Sequence, residues 1–439
     1  MMSVSKRQPP RLAALLLALA LATTGCSASK TDQPVGKTKL GKGVTEAPCP
    51  EAVTKDHGCI YLGIISDLST GPFATLLAQP ATDAQKAFWK RVNSQGGIGG
   101  FDIDVTRHIR DNHNNAQTHS QVYKEIRDSV FALAHTLGSA TTAAIIPDMR
   151  ADGIVAAPTS LTSAWLYEPG IIESGATYCI ESMNAVDYAV AERNVKSVMA
   201  VHFPGDYGDD GAAGAKIAAR AHALRFTSIE QTPKSQGGTS TAAIDAIVQQ
   251  KPDLVILTVA PTETAEIISA AAADGYSGLF IGMSPTWNPA LLQTPAGEAI
   301  RKLYLQSSPW GSFMSDTPGH KAMREALGTV TPNDGYTSGW IWSYPLKAAL
   351  EQAVRSRDLT REGLLEAIEQ INAVDYEGML PAGAGHFAGE PNDEAFRANL
   401  VNKPDPSSPT GLTKVKDFFT GPTAQRYQFS KPCYHQESV

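Results

Sequence analysis

Cysteine is scarce in this chain, with five in 439 residues. So few cannot staple the chain throughout, and they leave its stability to a buried apolar core. Basic charge is also short. Lys and Arg number 37 against 44 Asp and Glu, a formal net charge of −7. That balance excludes a basic face for nucleic-acid phosphates. Long apolar runs are missing too. The run near the start, 12–22, is eleven residues, short of the roughly 20 that span a bilayer. No repeat of solenoid length is visible. Enzyme signatures are absent as well. There is no HExxH, no acid pair stands out, and Gly282-Met283-Ser284-Pro285-Thr286 lacks the last glycine of a nucleophile elbow. His108, His113 and His119 lie close together without ligand spacing. They read as surface histidines, not as a metal site.

What is present begins at the N-terminus with Lys6, Arg7 and Arg11, then the short apolar run, then small residues up to Gly25. This is the pattern of a secretory signal over 1–25. Its end, Leu21-Ala22-Thr23-Thr24-Gly25-Cys26, resembles a bacterial lipobox, which implies cleavage before Cys26 and a lipid on its sulfur. Ordinary secretion with a free Cys26 is the other reading. Without that segment the net charge moves to about −10. Residues 26–56 are rich in Gly, Lys, Thr and Pro and predict a flexible tether. The stretch 36–43 half-matches a phosphate loop but lacks the hydroxyl residue after its lysine and a preceding strand, so nucleotide binding is set aside.

With Cys26 lipidated, four cysteines remain, and export permits disulfides. Three pairings exist. Cys49 and Cys59 are ten apart at the tether's junction with the first strand, which makes a local clip natural; Cys179 then pairs with Cys433. Free buried thiols are the alternative.

From residue 60 the chain alternates strand and helix. The run 60–65 is apolar throughout and reads as a strand buried on both faces. A turn cluster follows, then a helix over 85–92 closed by Gly96-Gly97, then a strand over 101–106. This is a βαβ unit, and ligands sit at the loop leaving such a strand. Further helices are expected at 120–127, 143–152, 185–194, 212–224 and 264–274, and strands at 130–137, 154–157, 197–202, 253–258 and 279–282. A helix over 337–354 is expected to kink or break at Pro345. Another runs from its cap Thr360 to 371 and packs on Leu364, Leu365, Ile368 and Ile371. Trp340 and Trp342 are two apart and read as core or interlobe residues, not as a ligand box. Residues 382–439 read as loops and edge strands.

Two loops concentrate hydroxyls at strand ends: Ser139-Ala140-Thr141-Thr142, opening a helix, and Thr159-Ser160-Leu161-Thr162 after Pro158. Helix starts and hydroxyls suit a carboxylate. Simple N-caps are the bland alternative. Further on, Pro204–Gly211 carries Tyr207 in a turn-rich stretch after the strand 197–202.

The phrase Gly71-Pro72-Phe73-Ala74, then QPATDAQKAFWKRVNSQGGIGG, resembles the opening of solute-binding proteins of the leucine/isoleucine/valine type, the extracytoplasmic receptors of ABC importers. The resemblance covers most of 60–354. It implies an α/β fold of two Rossmann-like lobes, the type I periplasmic binding architecture, with parallel sheets flanked by helices and a cleft between them. It also implies an N-lobe over 57–182 and 309–375, a C-lobe over 183–308 and a C-terminal segment 376–439, with about three crossings. The implied ligand set is Phe73, Ser139, Ala140, Thr141, Thr142, Thr159, Ser160, Thr162, Tyr207, Met283 and Ser284. Amino-acid binders of the family commonly place a carboxylate for the ligand's ammonium where Met283-Ser284 stands here. Asp206, Asp209, Glu263 or Asp334 are the substitutes at hand. The expected protein is a monomeric lipoprotein on the outer face of the membrane. It binds an amino acid or related small carboxylate or amide for an ABC permease, with no cofactor, metal or nucleic acid. A ligand sensor acting on a partner protein is the other class considered, and an enzyme the least favoured.

Overall fold

The computed structural model describes residues 37–70 and 73–435. The expected signal segment and Cys26 lie outside the described residues.

Strands β1 (Lys39–Leu40) and β2 (Val44–Thr45) lead into β3 (Gly58–Ser66). Nearly every β3 residue is buried, as its unbroken apolar spelling requires. Helix α1 (Gln79–Ser94), β4 (Phe101–Asp111), α2 (Ala116–Ile126), β5 (Ala132–Thr136), α3 (Ser139–Ala143), α4 (Ile146–Asp152) and β6 (Ala156–Pro158) complete the first run. Strand β3 is central. It pairs in parallel with β4 and β5, β5 pairs with β6, and β2 adds antiparallel at the start of β3.

The second lobe holds α5 (Tyr178–Arg193), β7 (Ser197–His202), α6 (Asp206–Ala221), β8 (Arg225–Glu230), α7 (Thr241–Gln250), β9 (Leu254–Thr258), α8 (Pro261–Ala273), β10 (Leu279–Gly282), α9 (Gly297–Leu303) and β11 (Tyr304–Ser308). The chain then returns to the first lobe with α10 (Pro318–Leu327), α11 (Asp334–Arg355), β12 (Asp358–Leu359) and α12 (Arg361–Ile368). It ends in the second lobe with β13 (Asn399–Pro404) and β14 (Leu412–Phe419). The second sheet runs β14-β13-β11-β10-β9-β7-β8. Its core is parallel, and β13 and β14 close one edge antiparallel. The chain thus passes between the two lobes three times, and the α/β two-lobe architecture is as expected.

The first lobe is cemented where α1 crosses α11. Phe88 meets Trp340 and Tyr344 edge-on at 5.1 and 5.0 Å, a favoured aromatic geometry. Gly339 lets the helices touch, because an added Cβ would run into the Ala81 backbone. Helix α11 continues through Pro345 without a break. The helix is buried around that residue on several sides, and tertiary packing outweighs one missing backbone hydrogen bond.

Four other expectations change. The proposed tether is laid down over its described part. Lys39–Leu40 pairs in register with Asp358–Leu359, and Lys39 Nζ reaches Asp358 at 2.7 Å. Helix α5 starts at Tyr178, seven residues before expected, on a Thr177 cap that accepts from Ile180 N. Residues 178–187 are buried all round, so no amphipathic stripe marked them. Helix α6 begins inside the presumed Tyr207 loop. His119 is fully buried and bonds Asn112 and Thr136 at 2.9 and 3.0 Å; burial pushes its pKa down to about 4. Both disulfides form as paired above, Cys49–Cys59 and Cys179–Cys433.

Candidate ligand-binding cleft

Strand ends of both sheets face a chamber of about 380 Å³, a size suited to a small organic ligand. The first lobe supplies Phe73, Leu76 and Pro80 ahead of and inside α1, and Thr159, Ser160 and Leu161 after β6. The returning segment adds Trp310 and the start of α11, from Asp334 to Trp342. The second lobe supplies Ser284, Trp287 and Asn288 after β10, with Gln306, Asn402 and Thr410 beside them. Six aromatic residues stand on the wall among many polar ones: Phe73, Tyr178, Trp287, Trp310, Tyr336 and Trp342. Trp310 and Trp342 meet edge-on at 5.6 Å, and Trp287 stacks on Tyr304 at 5.7 Å. Trp287 is fixed further by its Nε1, which donates to the Thr410 carbonyl at 3.1 Å.

Of the eleven expected ligand residues, Phe73, Thr159, Ser160 and Ser284 stand on this wall. The others do other work. Gly138, at φ 91°, aims the chain into α3. Thr141 and Thr142 are then used locally: Thr141 Oγ1 donates to the Leu137 and Gly138 carbonyls, and Thr142 Oγ1 bonds Thr136 Oγ1 at 2.9 Å. Ala140 is exposed. Thr162 caps the short helix after it through Ala164 N. Met283 is buried against Ser182. Tyr207 packs edge-on against Tyr178 at 4.8 Å and donates to the Val259 carbonyl at 3.1 Å.

Ser139 meets the opposite lobe directly. Its hydroxyl lies close enough to the Asp206 carboxylate to favour the charged form. Burial pushes Asp206 up to about 6, while Tyr207 N and Ser139 pull the other way. Four residues on, Asp210 is wholly buried. It accepts Ser163 N and Cys179 N at 3.0 Å each, and Ser163 Oγ as well. Ser163 Oγ also accepts Cys433 N at 2.8 Å. Burial raises Asp210 to about 7 despite these donors. Among the described residues, Cys179, Asp210 and Cys433 form the one cluster of metal-ligand types. Its sulfurs are joined in the disulfide, so it is a structural seam and not a metal site.

The four acidic substitutes also separate. Asp206 faces Ser139. Asp209 accepts Gly205 N and pairs with His202 at 3.1 Å. Glu263 accepts Lys234 N at 2.9 Å. Asp334 alone of the four lines the chamber. It accepts Phe313 N at 2.7 Å, and burial raises it to about 6. Sequence reasoning missed the tryptophans. Trp342 faces the chamber while Trp340 faces α1, a division that two-residue spacing on a helix permits. No local signal tied Trp287 and Trp310 to it.

The family described as Periplasmic binding protein matches residues 60–399. Among curated proteins none matches. A fatty acid ABC transporter substrate-binding protein from Thermomonospora curvata is 27% identical, with a TM-score of 0.79 over 89% of this chain and 97% of that one. A branched chain amino acid ABC transporter protein from Thermus thermophilus with bound valine is 17% identical (TM-score 0.70), over 84% of this chain and 98% of that one. A leucine binding protein from Thermotoga maritima is 15% identical (TM-score 0.66), over 83% and 99%. The last two likenesses speak to fold. Two disulfides agree with the extracytoplasmic setting of such proteins. With a family match over 60–399, two α/β lobes and a chamber between strand ends, the chain belongs to the periplasmic binding protein family, whose members bind solutes for ABC transporters and are not enzymes.

Proposed function

We propose that this protein is the substrate-binding component of an ABC importer that encloses a small ligand with a large apolar body and delivers it to a permease. The carrying observation is the chamber itself, walled by aromatic rings from both lobes. Apolar burial then supplies most of the affinity. Ser284 offers a hydroxyl for the polar end, and Ser160, whose oxygen accepts Trp165 Nε1 at 3.2 Å, can still donate its own; Thr159 Oγ1 donates to the Thr136 carbonyl at 3.0 Å and can only accept. An amino acid with an apolar side chain, or a related small carboxylate or amide, fits these dimensions. So does a compact segment of the fatty acid class bound by the Thermomonospora relative. Closure of two lobes on the ligand is the signal a permease would read. A lipid on Cys26 would hold the receptor at the outer membrane face. Among the described residues, no helix is long and apolar enough to cross a membrane.

A thermal-shift screen of apolar amino acids, amines, amides and carboxylates tests this reading, because a ligand selective for the folded state raises the melting point. Ser284→Trp places an indole into the chamber from a half-buried position. It should abolish the shift while leaving the melting point of the empty protein within a degree or so, since a partly exposed site tolerates bulk. A ligand bound equally well by this variant would move the site elsewhere, and a ligand recovered chemically altered would contradict a receptor.

A further inference from the structure

We propose that the ligand carries a protonated amine on its apolar body, with that charge set against the Asp334 carboxylate. This rests on the chamber being the binding site. The first ground is the charge census of the wall. Its residues include two carboxylates, Asp83 and Asp334, and no Lys, Arg or His. Asp83 is exposed and engaged by Lys86 at 3.1 Å. Asp334 has no cationic partner among the described residues; its hydrogen bond is to the backbone N–H of Phe313. Arg324, on the neighbouring α10, is turned to the carbonyls of Phe313 and Ser315. Asp334 therefore presents an uncompensated negative charge to a desolvated space, a costly arrangement unless something arrives to neutralise it.

The second ground is the ring wall. Trp310, Trp342 and Tyr336 come from the same returning segment as Asp334. Aromatic faces attract a cation most strongly where water is excluded. Trp342 is 2% exposed and offers the chamber a ring surface; its Nε1–H is buried behind the wall.

The start of α11 does not reverse this. A helix N-terminus favours anions, but here Asn333 already caps Gly335 N at 2.7 Å and Asp334 itself occupies the first turn. An anionic head group would meet the Asp334 carboxylate with no lining cation to offset it. In head-group chemistry this chain thus departs from a receptor built for fatty acids.

The test uses three probes with one ring and one chain length: phenethylamine, L-phenylalanine and hydrocinnamate. Calorimetry on the whole protein should show phenethylamine binding at least tenfold more tightly than hydrocinnamate. Asp334→Asn keeps the shape and removes the charge. It should weaken the amine roughly tenfold or more, leave hydrocinnamate equal or improved, and keep a cooperative melt. Hydrocinnamate binding as tightly as the amine overturns the proposal. So does an unchanged amine affinity in Asp334→Asn, or no amine binding at millimolar concentration. Ser284→Trp separates this failure from failure of the receptor reading. If hydrocinnamate wins and Ser284→Trp abolishes it, the chamber stands and the charge assignment falls. If Ser284→Trp leaves every probe unaffected, the chamber falls with it.

Discussion

The seam between the lobes has two parts with opposite chemistry. One is polar and closed, running from Ser139 and Asp206 to Asp210, Ser163 and Cys433. The other is the aromatic chamber, where a buried Trp342 N–H and Thr410 hydroxyl have no partner among the described residues. In the first, every strong donor has been given to another lobe or loop. In the second, donors are left over. Satisfied polar networks rigidify, and unpaired buried groups carry a cost. The difference marks the polar part as fixed joinery.

The largest expected effect strikes the polar part. Cys433→Ser removes a crosslink between positions 254 apart. Loop-closure entropy makes such a link worth ~5 kcal/mol, against ~3 kcal/mol for the ten-residue Cys49–Cys59 clip. Denaturant melts of Cys433→Ser and Cys49→Ser should rank in that order. The reverse order would mean that tying the C-terminal segment to α5 adds less than loop closure predicts.

Next is Asp210→Ala, which strands three buried donors. A loss of about 2–4 kcal/mol is expected, with affinity for a chamber ligand changed less than threefold in protein that remains folded. A comparable loss of affinity would erase the distinction between the two parts.

A third measurement uses pH. Glu181 is fully buried in the first turn of α5. One oxygen bonds Ser307 at 3.1 Å and the other has no partner among the described residues. Burial pushes its pKa from 4.5 up to about 8. A carboxyl raised in the folded state favours folding below its ordinary pKa, and that contribution is lost as pH climbs through about 8. Glu181→Gln should therefore raise the melting point above pH 8 and change it little near pH 4. An equal shift at both ends would show that Glu181 does not hold its proton.

The smallest effect is Ser139→Ala. It removes a hydroxyl beside a half-buried carboxylate, worth at most about 0.5–1.5 kcal/mol. Ligand affinity should fall less than threefold. A tenfold loss would return Ser139 to the ligand's immediate surroundings.

The architecture was legible because βα alternation is a local pattern. Strands 197–202 and 279–282 coincide with the observed β7 and β10, their apolar runs being bounded by clear breaks. Helix starts were less legible where capping residues lie inside buried segments, as at Tyr178. The site was legible only in part. Thr159 and Ser160 follow a proline at a strand end, a signal the chain writes locally. Trp287, Trp310 and Trp342 come from three separate segments and meet only because two sheets face each other. Composition and periodicity carry no record of that meeting. Asp334 could be named as a candidate but not chosen, since the choice depends on which carboxylates already have partners.

The short ribbon of β1 with β12 sets the order in which this molecule can be made. Lys39 finds its partner at Asp358, 319 positions later. The first lobe also needs α11 for its core, and the second needs β13 and β14 to close its edge. Neither lobe is contiguous, so neither can finish before the chain has doubled back. Such distant closures are slow and expose apolar strands while they wait. A fragment spanning 38–177 should consequently stay without a cooperative melt. Each lobe is thus completed by residues far along the chain from those that begin it.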